Sequence, residues 1–180
     1  MKTHKFSLDS HYWTQDDVEC PYQLIRLLKH LASVSYYRKQ LRYYCCYTLS
    51  HTMYGRESVS DVLYDTVVLQ SLFKAAYKIY LNPSEFKKMN LMVSDVTRQE
   101  LMELEYLNEE EFKNPYLVFE TVFYSFSLDR VCKSIFDLVM SAMSETDFGK
   151  DYSCSISMVN FFKMLEAIEI IQKRDANSYS

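Results

Sequence analysis

Apolar side chains recur every three or four residues along most of this chain, which is the spacing of one face of an α-helix. The first such run spans residues 22–50 without a glycine or proline, and a second run of similar length spans 116–144. A shorter run follows each of them, over 61–81 and over about 155–173. The pattern therefore predicts two long helices and two helices of medium length.

One segment of the chain occurs twice. Residues 11–22 read HYWTQDDVECPY and residues 105–116 read EYLNEEEFKNPY, so the two Pro-Tyr endings are 94 positions apart (116 − 22). The chain has two glycines, Gly55 and Gly149, and they are separated by the same 94 positions (149 − 55). A shared offset in such rare residues indicates an internal duplication.

The duplication predicts the fold. Each copy supplies a long and a medium helix, and a single amphipathic hairpin cannot bury its apolar face alone. We therefore expect one all-α domain over residues 1–180, in which two helical hairpins pack as a pseudo-two-fold four-helix bundle with short accessory helices. Its predicted parts are a loose N-terminal arm at 1–10, a first repeat at 11–90, a connecting segment at 91–104 and a second repeat at 105–175.

Inside the two long helices the alignment of the copies changes. SVSYYR at 33–38 matches SFSLDR at 125–130 with an offset of 92 (125 − 33). This leaves open a two-residue slip between the copies or a bend in the first long helix near Ser33.

Local signals add short helices and a turn. Thr97 and Glu100 match the capping-box pattern, which predicts a helix that ends near Leu107. Asn108, like Thr14 in the first copy, precedes a cluster of carboxylates and predicts a short helical turn before the proline. Gly55 is expected to adopt a positive φ just past a helix end.

Composition narrows the class of protein. Hydrophobic residues make up 48 % of the 180 positions and charged residues 24 %, which is typical of globular proteins. Five cysteines without a CxxC pair suggest reduced thiols, and the start of the chain lacks the apolar stretch of a signal peptide. With no run of about 18 apolar residues either, we expect a cytoplasmic protein without membrane contact.

The net charge of −4 is unevenly distributed, with +4 in residues 1–90 (12 − 8) and −8 in residues 91–180 (8 − 16). Basic and aromatic side chains alternate on the first long helix, an arrangement that can bind phosphates and stack bases. The candidate contact face consists of Arg26, Lys29, Arg38, Lys39, Arg42 and Tyr43. An ordinary solvated helix face is the simpler interpretation, and the acidic stretch 100–111 is an intramolecular counterpart.

The common catalytic, cofactor and metal motifs are missing from the sequence. None of the four histidines follows a glutamate by three positions, which excludes the carboxylate–histidine pairs of di-iron bundles. Two isolated glycines cannot form a phosphate-binding loop, and no GxSxG motif occurs. His51, beside Tyr54 and Arg56, is best explained as a histidine at a helix end.

These observations predict a non-enzymatic interaction or scaffold protein that binds a protein partner or forms a homodimer, without a cofactor or metal. The alternative is a nucleic-acid-binding regulator that uses the basic, tyrosine-rich face of helix 22–50. A third hypothesis is an enzyme of unusual type with a pocket between the two repeats.

Overall fold

The computed structural model describes residues 20–50, 52–144 and 156–177, and every regular element within these ranges is helical. The elements in chain order are α1 (Pro21–Lys29), α2 (Val34–Ser50), α3 (Val59–Leu81), α4 (Pro83–Phe86), a 3₁₀ turn (Met89–Leu91), α5 (Arg98–Met102), α6 (Glu109–Lys113), α7 (Tyr116–Ser125), α8 (Leu128–Ala142) and α9 (Met158–Asn177). The predicted all-α class is confirmed. The arm at 1–10, the helix start at Thr14, His51 and Gly149 lie outside the described residues.

Each of the two long helices is broken in two, so their predicted continuity is wrong. The first breaks at residues 30–33 and the second at 126–127. A serine caps the next helix at both breaks, since Ser33 Oγ and Ser127 Oγ each accept the backbone N–H three residues later, at 3.1 Å and 3.3 Å. Such a side chain offers the backbone an alternative to a continuous helix, although the apolar spacing runs on. The two capping serines are 94 positions apart (127 − 33), which is the offset of the sequence repeat. The first break lies where the sequence left open a bend near Ser33.

The shorter helices follow their local signals. Ser58 caps α3, and both capping boxes are formed, at Thr97 and at Asn108. The helix after Thr97 ends at Met102 rather than near Leu107. The reason is a distant carboxylate, because Glu166 on α9 accepts the backbone N–H groups of residues 105–107 at 2.8–3.0 Å. Those N–H groups are therefore not used to extend α5.

The turn between α2 and α3 does not depend on its glycine. Gly55 is exposed, its φ is not in the left-handed region, and a Cβ atom built on it would meet nothing within 4 Å. The expected positive φ is therefore wrong. The buried Tyr54 anchors the turn instead, because its N–H donates to the carbonyl of Ala142 at 2.8 Å.

The core forms where the longer helices α1, α2, α3, α7, α8 and α9 meet. α2 packs on α8 and α9, and α3 packs on α1, α7 and α8. Phe73 of α3 and Phe161 of α9 are fully buried and stack with ring centroids 5.8 Å apart. Burial of such rings, at roughly 25 cal/mol for each Å² of apolar surface removed from water, is the main stabilising contribution.

Two tyrosines that are equivalent in the sequence repeat contact each other. The hydroxyls of Tyr22 and Tyr116 are 2.7 Å apart, and both side chains are buried. Tyr22 donates its one hydrogen to the carbonyl of Phe86, so Tyr116 donates to Tyr22 and accepts the backbone N–H of Lys88 at 3.2 Å. This chain of hydrogen bonds joins the starts of α1 and α7 to the last residue of α4 and to the segment that follows it.

Across the described ranges, no helix combines the length and the apolar content that crossing a membrane requires.

Candidate functional site

The residues of the predicted basic face are divided between two helices. Arg26 and Lys29 lie on α1, whereas Arg38, Lys39 and Arg42 lie beyond the break on α2. The remaining member, Tyr43, is half-buried beneath the guanidinium of Arg56, with 4.2 Å from Cζ to the ring centroid. Lys29 and Lys39 are exposed.

Both arginines of the face on α2 are paired within the chain. Arg38 is only 13 % exposed, and its Nη2 lies 3.3 Å from Glu169 Oε2. Arg42 Nη2 lies 2.6 Å from Glu105 Oε2 and 3.0 Å from the Tyr106 hydroxyl. The stretch 100–111 thus contributes a partner for Arg42, whereas the partner of Arg38 lies on α9. Both pairs leave fewer free cations for phosphates.

A groove of about 300 Å³ lies beside Arg38. Its walls carry three cations and four glutamates, among them Glu166, Glu169, Lys173 and Arg174. Arg174 is half-buried and donates to the carbonyls of residues 91 and 112 at 2.8 Å and 2.9 Å. Burial lowers its pKa, with the nearby Glu100 acting in the opposite sense. The charges of this groove are therefore largely balanced by one another.

Four of the large apolar side chains that are exposed on α3 and α8 form two pairs. Val59 and Leu63 lie one turn apart on α3, and Phe136 and Met140 lie one turn apart on α8. Their exposed fractions are 60 %, 45 %, 44 % and 49 %. We call these four residues the α3–α8 apolar face.

Two contacts fix the relative register of these helices. Gln70 Nε2 of α3 donates to the carbonyl of Cys132 on α8 at 3.1 Å. Tyr77, about two turns further along α3, packs on Phe123 of α7 with ring centroids 5.0 Å apart. The partner numbers fall as the α3 numbers rise, so α3 runs antiparallel to α7 and α8. Residues about two turns before Gln70, such as Leu63, and two turns after Cys132, such as Met140, therefore lie at a similar level along the two packed helices.

A polar cleft of about 410 Å³ opens between α2 and the start of α3, beside the break at 30–33. Three tyrosines and three carboxylates line it: Tyr36, Tyr37, Tyr64, Glu57, Asp61 and Asp65. We call it the α2–α3 cleft.

Hydrogen bonds connect the inner residues of the cleft. The Tyr36 hydroxyl lies 3.0 Å from Asp65 Oδ2 and 3.3 Å from Glu57 Oε1. Gln40 Nε2 donates to the same Glu57 oxygen at 2.6 Å, and the Tyr54 hydroxyl donates to Gln40 Oε1 at 3.1 Å. α2, the turn and α3 thus hold these side chains in one network.

Burial dominates the electrostatics of this network. It raises the pKa of Asp65 to about 6, against the opposing hydrogen bond from Tyr36, while the nearby Glu57 and Asp61 raise it further. Burial likewise raises the pKa of Tyr36 to about 12. The tyrosines are neutral at physiological pH, and the charge of the cleft comes from its carboxylates.

Sequence reasoning missed the cleft because its members are far apart along the chain. One signal was available, since Asp65 lies among Val62, Leu69 and Leu72 on the inward-facing stripe of α3. A carboxylate within an apolar stripe is an informative exception to the core pattern. Glu166 gives the same signal on α9, where it is buried.

Within the described ranges, no three histidine, cysteine or acidic side chains are placed to share a metal ion. The chain matches no protein-family model, no curated protein and no solved structure.

Proposed function

We propose that this protein is a cytoplasmic, non-enzymatic helical interaction protein that forms a homodimer through the α3–α8 apolar face. The observation that carries the proposal is the exposure of Val59, Leu63, Phe136 and Met140 on α3 and α8, two helices that pack on each other. Grouped apolar surface of this kind is typical of sites where proteins associate. The cysteines Cys20, Cys45, Cys46 and Cys132 are unbridged, which agrees with a reducing compartment.

A second copy of the chain is the occupant that the surrounding charges favour. Lys133 and Asp137 form an ion pair of 2.5 Å on the exposed side of α8, next to Phe136. Because the edge of the face carries both signs of charge, it favours neither a strongly acidic nor a strongly basic partner. A two-fold axis that passes between Lys133 and Asp137 would place the Lys133 of one copy near the Asp137 of the other, which is the self-complementarity that isologous dimers need.

We further propose that the monomer is a duplicated, pseudo-two-fold four-helix bundle built from repeats at 11–90 and 105–175. The contact between Tyr22 and Tyr116 supports this, because equivalent residues meet only near the axis that relates two copies. The helix pairs agree: α2 packs on α9 and α3 packs on α8, so the first half of each repeat contacts the second half of the other.

Paired substitutions test the dimer. Phe136→Glu with Met140→Glu places two carboxylates in the contact, and we expect a monomer by light scattering because an unpaired charge is costly to bury. The matched control is Met89→Glu with Met102→Glu, two methionines that are 72 % and 71 % exposed but lie outside the face. The control is expected to stay dimeric. A monomeric wild type, or equal dissociation of both variants, would refute the proposal.

Nucleic-acid binding by the basic face is the second candidate from the sequence. Arg26, Lys29 and Lys39 are exposed, with Arg26 only 3.8 Å from the buried Asp175. We rank this function below self-association because Arg38 and Arg42 already have acidic partners.

A further inference from the structure

The α2–α3 cleft differs from the groove beside Arg38 in its charge balance. The groove pairs three cations with four glutamates. The cleft carries Glu57, Asp61 and Asp65, and none of these forms an ion pair with a lysine or arginine in the part of the chain that the structure describes. A negative charge in a partly enclosed site is stable only when a cation or enough donors compensate it.

Protein donors do not fully compensate these carboxylates. Asp65 is only 4 % exposed, and the single hydrogen of the Tyr36 hydroxyl is shared between Asp65 and Glu57. Glu57 Oε2 is buried and accepts no hydrogen bond. The network therefore lacks at least one donor, and a donor with a positive charge would satisfy both deficits.

A second unsatisfied group lies next to the cleft. Tyr44 is fully buried, yet its hydroxyl has no hydrogen-bond partner. Burial is the largest cause that raises the pKa of the Tyr44 hydroxyl, and the neighbouring carboxylate of Asp65 and hydroxyl of Tyr54 raise it further. A buried polar group without a partner is rare and costs about 1–3 kcal/mol. Tyr44 does not itself line the cleft, so the unpartnered Glu57 oxygen is the group that a ligand in the cleft would satisfy.

We propose that the α2–α3 cleft binds a small organic cation that carries a protonated amine. Glu57 and Asp65 would accept its N–H groups, and the rings of Tyr36, Tyr37 and Tyr64 would contact the cation and its apolar body. The volume of about 410 Å³ falls within the range of small-molecule sites, which is about 300–1,000 Å³. A calcium ion fits less well, since it requires about six to eight oxygen ligands. The proposal is independent of self-association.

A pair of probes that differ in charge tests the site. Benzylammonium and benzyl alcohol have nearly the same shape, but only the first is a cation at neutral pH. We expect saturable binding of benzylammonium to the full chain, followed by chemical shifts in the NMR spectrum, with changes centred on residues of α2 and α3. Benzyl alcohol is expected to bind at least about tenfold more weakly, which corresponds to about 1.4 kcal/mol.

Two variants separate the site from a general charge effect. Glu57→Gln should weaken benzylammonium binding about tenfold, whereas Glu120→Gln, which removes a half-exposed carboxylate at another position, should leave it unchanged. Asp65→Asn serves as a second site variant if Glu57→Gln does not fold. No binding of benzylammonium, equal binding of the alcohol, or equal weakening by the site and control variants would overturn the proposal.

Discussion

Asparagine in place of Asp65 should stabilise the protein at neutral pH and leave its stability at low pH almost unchanged. The aspartate side chain is almost completely buried, and its only hydrogen-bond donor among the described residues is the Tyr36 hydroxyl. An ionised carboxylate there has lost most of its hydration, whereas a neutral amide of the same shape still accepts the Tyr36 hydrogen. The substitution therefore removes a charge and keeps the packing.

The pKa of Asp65 sets the magnitude and the sign. Burial, the largest cause, raises the pKa from 3.8 to about 6 in the folded protein. Between these values the folded state holds a proton that the unfolded state has released, so this group lowers the free energy of unfolding as the pH rises from about 4 to about 6. The complete shift of the Asp65 pKa corresponds to at most about 3 kcal/mol in the free energy of unfolding, at about 1.4 kcal/mol for each pKa unit.

Urea denaturation at a series of pH values measures the effect. The free energy of unfolding of the variant minus that of the wild type should be near zero below about pH 4 and level off near 3 kcal/mol above about pH 6. This corresponds to a rise in melting temperature of about 6–12 °C for a chain of this size. Glu120→Gln, at a half-exposed position of α7 outside the apolar face, is the control and should show a flat difference within about 0.5 kcal/mol. A difference for Asp65→Asn that is flat, or that grows as the pH falls, would refute the reasoning.

Three further variants test other parts of the structure. Tyr116→Phe removes the donor to Tyr22 and the acceptor of the Lys88 N–H, and should cost about 1–3 kcal/mol in urea denaturation; a loss below about 0.5 kcal/mol would mean that this contact is unimportant. Glu166→Gln weakens charge-assisted bonds to three consecutive N–H groups, so hydrogen exchange at residues 105–107 should accelerate while α3 stays protected; unchanged exchange would contradict the role given to this carboxylate. Wild type and the Arg38→Glu/Arg42→Glu variant should both fail to shift single-stranded RNA or duplex DNA at low salt; a salt-sensitive shift seen only with wild type would favour nucleic-acid binding instead.

Features that depend on neighbouring residues could be predicted from the sequence. The capping boxes at Thr97 and Asn108 use a side chain and a backbone group three residues apart, and both are formed. The medium helix at 61–81 also appears, with its start at Val59. The apolar spacing gave the helical class for the same reason, since it is a local property of the chain.

Features that depend on distant contacts could not be predicted from the sequence. The α5 helix ends early because Glu166 takes up the N–H groups of residues about 60 positions before it. The cleft arises from a similar cause, since Tyr36 and Asp65 are 29 positions apart and meet only after α2 and α3 pack. The breaks at Ser33 and Ser127 are a different case, because continuous apolar spacing and serine capping compete and the spacing alone predicts no interruption.

Methionine oxidation of the unmodified protein tests self-association through the α3–α8 apolar face most directly. Met140 lies in the face, and Met102 is an exposed methionine outside it. Peroxide converts an accessible methionine to its sulfoxide, and mass spectrometry follows each residue separately. We expect the oxidation of Met140 to slow as the protein concentration rises and the mass in solution increases from 21.4 kDa towards twice that value, while Met102 reacts at a constant rate. A rate for Met140 that does not change with concentration would contradict the proposed dimer.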